Sequence, residues 1–341
     1  MNQYVPFGAA CCTLVDPESL LSIGAVVEQQ LEDIHAELLA YEYAYAEAKD
    51  AYCNLVHCDP PIAVLSQHQP HLLLEHPRYD KVLRPAGFGD ELRAAMIYNN
   101  RCWGFLTLYR LYNQPLFSTY EKEWIAQLSP AIAAQLRVFS LNSLHQMQQK
   151  SSEQERATSH SIDSAPNLSK PIEKGIVLLS EQLELLSANR AATSWLDRLR
   201  QHENESNSAW PRPIHTAALK LLQQPADTAG YTESLQSYIP ACGYYVWMRA
   251  NLVYTNDEHR QVMIELESAP PEQLFRLQCE QFALTTREQQ LVQHVIKGLS
   301  TRQIAAALHI STFTVQDHFK SIFTKTDTSS RRELIAMLRK R

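Results

Sequence analysis

The stretch STFTVQDHFKSIF, residues 311–323, alternates between apolar and polar side chains at helical spacing in a chain of 341 residues. At about 100° per residue, one narrow arc of this helix holds Val315, Phe319 and Ile322. The opposite arc holds Phe313, Gln316, Asp317, Lys320 and Thr324. We expect the first arc to pack into a core and the second to face outward, where its polar groups are free to contact a partner.

The residues around this stretch predict three more helices with tight turns between them. Capping residues are expected at Thr285, Ser300, Ser311 and Ser330. Gly298 is suited to end the first helix, because glycine adopts the left-handed conformation at little cost. Four short helices within about 55 residues predict a compact helix-turn-helix domain.

The charge of the chain is divided unevenly. Residues 275–341 hold 11 Lys and Arg against 5 Asp and Glu, whereas the whole chain has 31 against 37 and a net charge of −6. The rest of the chain is therefore acidic, and only the carboxyl-terminal piece is suited to a polyanion. This division predicts double-stranded DNA as the partner of the helix-turn-helix domain.

The composition excludes several classes of protein. No run of 18 apolar residues occurs, so no membrane span is expected, and the first residues lack the pattern of a secretory signal. The seven cysteines include no CxxC pair, which argues against a disulfide framework or a zinc ribbon. We therefore expect a cytoplasmic protein with free thiols.

Two stretches divide the chain. Residues 148–171 are mostly polar, and residues 267–273 contain two adjacent prolines. The predicted domains therefore cover residues 1–150, 171–268 and 272–341. The expected fold class is a multidomain chain, with an α+β body followed by an all-α domain of four helices.

The first domain is predicted to mix helices and strands. Residues 18–50 are rich in Ala, Leu and Glu, which predicts a helix. A tight hairpin turn is predicted at Asn99-Asn100, between two apolar runs. The second run carries Trp103, Phe105 and Tyr109 on one face and other apolar residues on the opposite face, as a central strand does.

A capping box at Ser118 and Glu121 predicts that another helix begins after the second run. Pro130 is expected to kink or break that helix, because proline removes a backbone donor.

Motifs within residues 6–140 resemble a GAF-type sensor domain. They are Arg84-Pro85-x-Gly87-x-Gly89-Asp90-Glu91-Leu92-Arg93, Arg101-Cys102-Trp103-Gly104 and Pro115-x-Phe117-Ser118. In this setting, two interpretations of Trp103, Phe105 and Tyr109 stand. They form plain core, or they line a pocket for a small apolar ligand.

The second domain begins with a strand, a turn, a second strand and a helix that starts near Asn189. Two later strands flank a turn at Asn256-Asp257. This order resembles a PAS-type module, and a plain α+β dimerisation module would show the same pattern.

A series of motifs runs through residues 283–338. They are Leu284-Thr285-x-Arg287-Glu288, Gly298-x-Ser300, Ile304-Ala305-x-x-Leu308-x-Ile310-Ser311, Thr314-Val315-x-x-His318, Ile322, Lys325 and Arg331-x-x-Leu334. As a set they closely resemble the LuxR-type helix-turn-helix. The resemblance implies that the helix over residues 312–325 enters the major groove and that the domain binds DNA as a dimer.

The side chains expected to contact DNA come from the second, third and fourth helices of this domain. They are Ser300, Thr301, Thr312, Phe313, Thr314, Gln316, Asp317, His318, Lys320, Thr324, Lys325, Arg331 and Arg332. The four cations among them are expected to neutralise phosphate groups. Gln316 and Asp317 are expected to discriminate among base edges.

Three features depart from the usual LuxR-type pattern. Gln316 stands where many members have Lys, and residues 326–328 replace an apolar-Gly-apolar turn, which predicts a slightly weaker domain. The third feature is Asp317, for which two roles stay open. It accepts a hydrogen bond from the cytosine amino group, or it caps the helix or bonds a neighbouring side chain.

Cysteines and histidines gather in the first domain at Cys53, His57, Cys58, His68, His71 and His76. Their spacings match no familiar zinc pattern, so no metal and no other cofactor is expected. Some GAF-fold proteins are cysteine-based methionine sulfoxide reductases, and Cys53, Cys58 and Cys102 keep that alternative open.

The sequence thus predicts a transcriptional regulator that is not an enzyme. The sensor body is expected to control the dimerisation, or the exposure, of the DNA-binding domain in a homodimer. The alternative is a protein-interaction module whose helix-turn-helix binds another regulator and little DNA.

Overall fold

The computed structural model describes residues 3–44, 51–68, 76–158, 173–202, 209–224, 234–241, 244–255, 259–326 and 328–339. The chain divides into two compact units, Met1–Ser268 and Ala269–Arg341, called unit 1 and unit 2 below. None of the helices in these described ranges is both long and apolar enough to cross a membrane.

Unit 1 begins with a five-stranded antiparallel sheet. Its strands are β1 (Ala9–Val15), β2 (Ser22–Val27), β3 (Ile62–Val64), β4 (Phe88–Tyr98) and β5 (Arg101–Leu111), in the order β2-β1-β5-β4-β3. The accompanying helices are α1 (Glu32–Ala44), α2 (Tyr52–Leu55), α3 (Leu65–His68) and α4 (Thr119–Thr158). The central strand is β5, and its side chains are buried on both faces, as predicted.

The predicted hairpin turn at Asn99-Asn100 is confirmed. Both asparagines have positive φ angles, 50° and 61°, and they join β4 to β5. Two left-handed residues give the turn the twist that the flanking strands require.

The predicted helix over residues 18–50 is wrong at its beginning. Residues Ser22–Val27 form β2, which pairs with β1, and α1 begins only at Glu32. The β-branched residues Ile23, Val26 and Val27 favour a strand, and Leu21 and Ile23 are buried in a core made mainly by the second sheet of unit 1. Residues 45–50 of the predicted helix lie outside the described residues.

The capping box at the start of α4 is confirmed, since the Ser118 amide donates to Glu121 at 2.9 Å and the Glu121 amide donates back to the Ser118 hydroxyl. Of the kink or break predicted at Pro130, the break does not occur, because α4 continues through the proline to Thr158. The proline is exposed, and the buried residues Ile125 and Ala133 anchor the helix on either side of it.

The buried carboxylate of Asp90 ties three segments of the first domain together. It accepts the Ser66 amide at 3.0 Å and hydroxyl at 2.7 Å, the Glu91 amide at 2.9 Å and the Phe117 amide at 2.9 Å. Asp90 is completely buried, and four donors share its two oxygens. This carboxylate therefore fixes the loop before α4 to β4 and to the start of α3.

The second sheet of unit 1 repeats the topology of the first. Its strands are β6 (Gly175–Leu179), β7 (Leu185–Ala188), β8 (Leu235–Ala241), β9 (Tyr244–Tyr254) and β10 (Arg260–Ser268), in the order β7-β6-β10-β9-β8. Two helices accompany it, α5 (Arg190–His202) and α6 (Arg212–Leu222). The helix predicted near Asn189 is confirmed, because the Asn189 side chain accepts the Ala192 amide at 2.9 Å. The predicted turn at Asn256-Asp257 lies outside the described residues.

The two sheets of unit 1 are joined through α6, which packs against β2 and α1. Lys220 donates to the Ser19 carbonyl at 3.1 Å, and the Arg212 guanidinium lies 3.3 Å from the His35 ring. Together with the apolar contacts of Leu21 and Ile23, these bonds give the two sheets a shared, well-packed boundary.

Unit 2 is entirely helical. Its helices are α7 (Pro271–Gln281), α8 (Thr286–Ile296), α9 (Thr301–Leu308), α10 (Thr312–Thr326) and α11 (Arg331–Arg339). The sequence predicted four of them, and the predicted capping boxes at Thr285 and Ser300 are confirmed. Gly298 has the expected positive φ, 82°. The additional helix, α7, contributes Cys279 to the core of the unit.

The Glu288 side chain joins α8 to α10. It is 3% exposed and accepts the Thr285 amide, the Ser321 hydroxyl and the Lys325 ammonium, each at 2.7 Å. Burial alone would raise the pKa of this carboxyl, but the bonds from Lys325, Ser321 and Thr285 outweigh it and lower the pKa to about 2. The folded state therefore strongly favours the ionised form.

We predict that Asp90→Asn lowers the free energy of unfolding of unit 1 by about 1–3 kcal/mol. Each oxygen of Asp90 accepts at least one backbone N–H, so in either orientation the new NH2 group replaces an acceptor and leaves a buried backbone donor without its hydrogen bond. All five tryptophans lie in unit 1, so urea unfolding followed by tryptophan fluorescence measures the change. The control is Asp80→Asn, which should cost less than about 0.5 kcal/mol because the partners of Asp80, Lys81 and Arg84, are exposed. Equal losses in the two variants would contradict the role of Asp90.

We also predict that Glu288→Gln destabilises unit 2 by about 1–3 kcal/mol near neutral pH, because a charged acceptor is lost from a buried site. The folded pKa of Glu288 lies below its ordinary value of 4.5, so its contribution is complete above that pH and disappears as the pH falls toward about 2. Between pH 4.5 and about 2, the free energy of unfolding of Glu288→Gln should therefore fall less than that of the wild type.

Unit 2 has no tryptophan, so far-UV circular dichroism should register this loss while tryptophan fluorescence reports an unchanged unit 1. Asp317→Asn removes an exposed partner of Lys320 and is the matched control, with a change below about 0.5 kcal/mol. An acid dependence that is identical in the wild type and Glu288→Gln would contradict the prediction.

Candidate nucleic-acid interface

The packing face of α10 is the predicted one. Val315, Phe319 and Ile322 are buried in the core of unit 2, and the Ser311 hydroxyl caps the helix by accepting the Thr314 amide at 3.0 Å. The turn from α9 into α10 contains His309, whose positive φ of 53° ends α9. These contacts fix which side of α10 faces outward.

The outward face carries the five residues predicted for it, and all five are exposed: Phe313, Gln316, Asp317, Lys320 and Thr324. An ion pair lies within this face, with the Lys320 ammonium 3.0 Å from the Asp317 carboxylate. The two side chains are 80% and 72% exposed, so water screens the pair and either partner is free to exchange it for another.

The structure limits the roles of Asp317. The amide that a cap would satisfy is bonded to Ser311, and the bond described for the Asp317 carboxylate is the one to Lys320. A bond to a neighbouring side chain is thus present, whereas a cap is not among the contacts of the described residues. The contact with cytosine stays a prediction.

Two of the four predicted cations have partners within unit 2. Lys325 donates to Glu288 at 2.7 Å and to the Ala283 carbonyl at 3.3 Å. Arg331 donates to the Thr301 hydroxyl at 2.8 Å, and its guanidinium lies 4.1 Å from the centre of the Phe319 ring. Both side chains therefore hold helices of unit 2 together, whatever else they contact.

The other predicted contacts lie at the helix starts or beside the outward face. Ser300 is exposed and shares a capping box with Gln303, while Thr301 is bonded to Arg331. The Thr314 hydroxyl lies 2.9 Å from the Ser311 hydroxyl. The half-buried members are Thr301, Thr312 and His318, and the exposed ones are Ser300, Thr314 and Arg332.

The sequence analysis did not single out two further exposed cations of unit 2. Lys297 follows the end of α8, and Arg302 lies in the first turn of α9. Neither belongs to a motif, so the only signal available was the basic charge of the domain as a whole.

The predicted ligand-pocket residues Trp103, Phe105 and Tyr109 are all buried. Phe105 stacks on Tyr52 with ring centres 4.1 Å apart, and the Trp103 ring nitrogen donates to the Tyr98 carbonyl at 3.3 Å. These contacts are those of core side chains. A cavity of about 480 Å³ opens elsewhere in the described part of unit 1, between residues 4–6 and 110–121.

Charged side chains are buried on the same face as Phe105 and Tyr109. In the register of β4 and β5, Glu91 lies opposite Tyr109, and Arg93 lies two residues further along. The members of this cluster are Glu42, Arg78, Glu91 and Arg93, which form ion pairs with one another. The surroundings of the predicted pocket are therefore more polar than the sequence analysis expected.

Two of the three thiols considered for the reductase alternative, Cys53 and Cys102, lie in surroundings that disfavour the thiolate. Burial raises the pKa of Cys102 to about 11 and also raises the pKa of Cys53. A nucleophilic thiol needs the opposite shift, toward the thiolate. Cys58 is exposed, and its sulfur lies 3.6 Å from the Asn54 carbonyl. The shifts at Cys53 and Cys102 argue against these two thiols as the nucleophile of the reductase alternative. No cluster of metal-binding side chains occurs among the residues that the structure describes.

Comparisons with known proteins agree with two of the three resemblances, those to the GAF-type and the LuxR-type domains. The family model of the bacterial regulatory proteins of the luxR family matches residues 283–338, and that of the GAF domain matches residues 7–136. No curated protein sequence matches the chain.

Several solved structures are similar to parts of the chain. The Vibrio cholerae VqmA dimer, a LuxR-type receptor, is 14% identical over 54% of this chain and 85% of its own, with a TM-score of 0.23. The DhaR(N)–DhaL complex of E. coli is 13% identical over 76% and 80%, with a TM-score of 0.21. The bacteriophytochrome RpBphP3 of R. palustris is 10% identical over 77% and 56%, with a TM-score of 0.25. Likenesses this low carry no argument about function.

The assignment therefore rests on the two family matches and on the helical architecture of unit 2. The chain contains a GAF domain over residues 7–136 and, over residues 283–338, the helix-turn-helix domain of the bacterial regulatory proteins of the luxR family.

Proposed function

We propose that the chain binds double-stranded DNA as a homodimer, with α10 in the major groove, and that unit 1 controls this binding in response to a signal. The observation that carries the proposal is the division of α10 into two faces. Its apolar face is locked into the core, whereas its outward face presents exposed side chains that suit base edges and phosphates.

The cations of unit 2 divide between two roles in this proposal. Lys320 and Arg332 are exposed and are the main phosphate anchors, helped by Lys297 and Arg302. Lys325 and Arg331 chiefly position α10, because each has an internal partner in unit 2.

Unit 1 is proposed to receive the signal. A signal shifts the chain between two arrangements only if it binds one of them more tightly than the other. The shared boundary between the two sheets supports transmission of a structural change within unit 1, because α6 packs directly against β2 and must move when β2 is displaced. Whether the ligand contacts Trp103, Phe105 or Tyr109 is tested by their alanine variants in a binding assay once a ligand is identified.

The test of DNA binding is selection of genomic fragments by the full-length protein at moderate salt, followed by protection mapping on the selected fragments. We expect a two-fold symmetric site whose halves are one or more helical turns apart. Failure to enrich any sequence would favour the alternative, a module that binds another regulator and little DNA.

We predict that Lys320→Ala weakens binding to selected and unrelated DNA alike and reduces the slope of log affinity against log salt by about 1 per subunit, because one phosphate contact is lost. Titrations at several salt concentrations measure both effects. Lys325→Ala is the comparison variant. It should lower the stability of unit 2, because Lys325 neutralises the buried Glu288, whereas Lys320→Ala should leave that stability unchanged. An unchanged salt slope in Lys320→Ala would exclude this role.

We predict that Asp317→Asn binds DNA more tightly overall and discriminates less between sequences, because it frees Lys320 and removes a negative charge that phosphates repel. The measurement compares affinities for the selected site and for copies with single base changes. Discrimination that stays intact would show that Asp317 has no part in sequence selection, and a loss of thermal stability would instead indicate a structural role.

A further inference from the structure

The most unusual residue on the outward face of α10 is Phe313. Its side chain is 78% exposed, more than any other large apolar side chain reported for the described residues. The residues around it on the helix surface are polar, namely Thr314, Gln316, Asp317 and Lys320. Single exposed apolar residues are common on proteins, so exposure alone indicates little. The position of this one within the helix is what carries information.

Phe313 lies in the first turn of α10 and at the centre of the outward face. At about 100° per residue, Phe313, Lys320 and Thr324 fall within an arc of about 40°, directly opposite Val315 and Ile322. The amino-terminal turns of a recognition helix are the part that contacts base edges in the major groove. Phe313 is therefore placed where a base edge would lie when Lys320 reaches the DNA.

Phe313 lies outside the core that the described residues of unit 2 form. The core of unit 2 contains the buried apolar residues of α10, together with partly buried Phe323, and does not include Phe313. The stacking partner described for Phe319 is Phe323, not Phe313. The phenyl ring thus contributes little to stability in the free protein, and its apolar surface is available to a partner.

The major groove offers one apolar group, the C5 methyl of thymine, and phenylalanine is among the side chains that contact it. Resting on the DNA binding proposed above, we propose that Phe313 selects thymine by packing against this methyl group. The contact adds discrimination without adding charge, so it strengthens binding at the correct site and leaves non-specific attraction to phosphates unchanged.

The experiment uses the full-length protein and the site that it selects from genomic DNA. Each thymine of that site is replaced in turn by deoxyuridine, which removes the methyl group and preserves base pairing. For the wild type, we expect one thymine in each half-site whose replacement weakens binding by about four-fold, the value for one buried methyl group. Phe313→Ala should bind the thymine duplex more weakly and lose no further affinity on that replacement.

Two controls separate this contact from indirect effects. Phe313→Leu keeps an apolar side chain and should retain part of the thymine preference, while Tyr120→Ala removes an exposed ring from unit 1 and should leave it intact. Phe313→Ala should also show the same thermal unfolding as the wild type, since the ring is exposed. A change in unfolding would overturn the inference by assigning the ring a folding role.

The outcomes distinguish this inference from the proposed function. If the protein selects a site but deoxyuridine has no effect, or weakens the wild type and Phe313→Ala equally at every position, Phe313 does not contact a thymine methyl. If the protein selects no site, DNA binding itself fails, and the inference fails with it. If deoxyuridine weakens binding of the wild type but not of Phe313→Ala, the result supports both the proposed DNA binding and the contact between Phe313 and thymine.

Discussion

The carboxylate of Glu288 is the contact on which the geometry of unit 2 depends most. It lies in the first turn of α8, yet it accepts bonds from two residues of α10, Ser321 and Lys325, as well as from the cap residue Thr285. A buried charge is costly unless every lone pair is well used, and here three donors surround it. Ser321 and Lys325 lie on α10, whereas Glu288 lies on α8. Their hydrogen bonds to the carboxylate therefore form only when α10 has one particular rotation about its own axis relative to α8. The same rotation decides which residues of α10 face outward.

In unit 1, both apolar contacts and hydrogen bonds hold the two sheets together. Leu21 and Ile23 belong to the chain of the first sheet but are buried mainly with residues of the second. Lys220 bonds a carbonyl between β1 and β2, which fixes α6 over that hairpin. A boundary of this kind resists sliding, because movement would expose apolar surface and break hydrogen bonds together. The two repeats of one topology are thus suited to respond as a single body.

The sequence predicted those features that a few neighbouring residues determine. Caps at Thr285 and Ser300, the turn at Asn99-Asn100 and the two faces of α10 depend on spacings of one to four residues. Other features were missed. The strand β2 carries the β-branched residues Ile23, Val26 and Val27, which favour a strand, but the helix-forming residues that follow it concealed this local signal. The bond between Lys325 and Glu288 joins residues 37 positions apart, so no local pattern indicated that this cation already has a partner.

The pairing of Lys320 with Asp317 gives the outward face of α10 a balance that bears on selectivity. A face with one cation and one nearby anion attracts phosphates weakly, and the acidic remainder of the chain weakens non-specific attraction further. Regulators search among a great excess of non-specific sites, so lower background affinity raises the fraction bound at the correct site. In the proposed function, binding strength comes from contacts that only the correct sequence supplies, and the groups proposed to supply them are the amide of Gln316, the carboxylate of Asp317 and the ring of Phe313. This balance explains physically why an acid and an exposed aromatic residue stand on a helix that is expected to meet a polyanion.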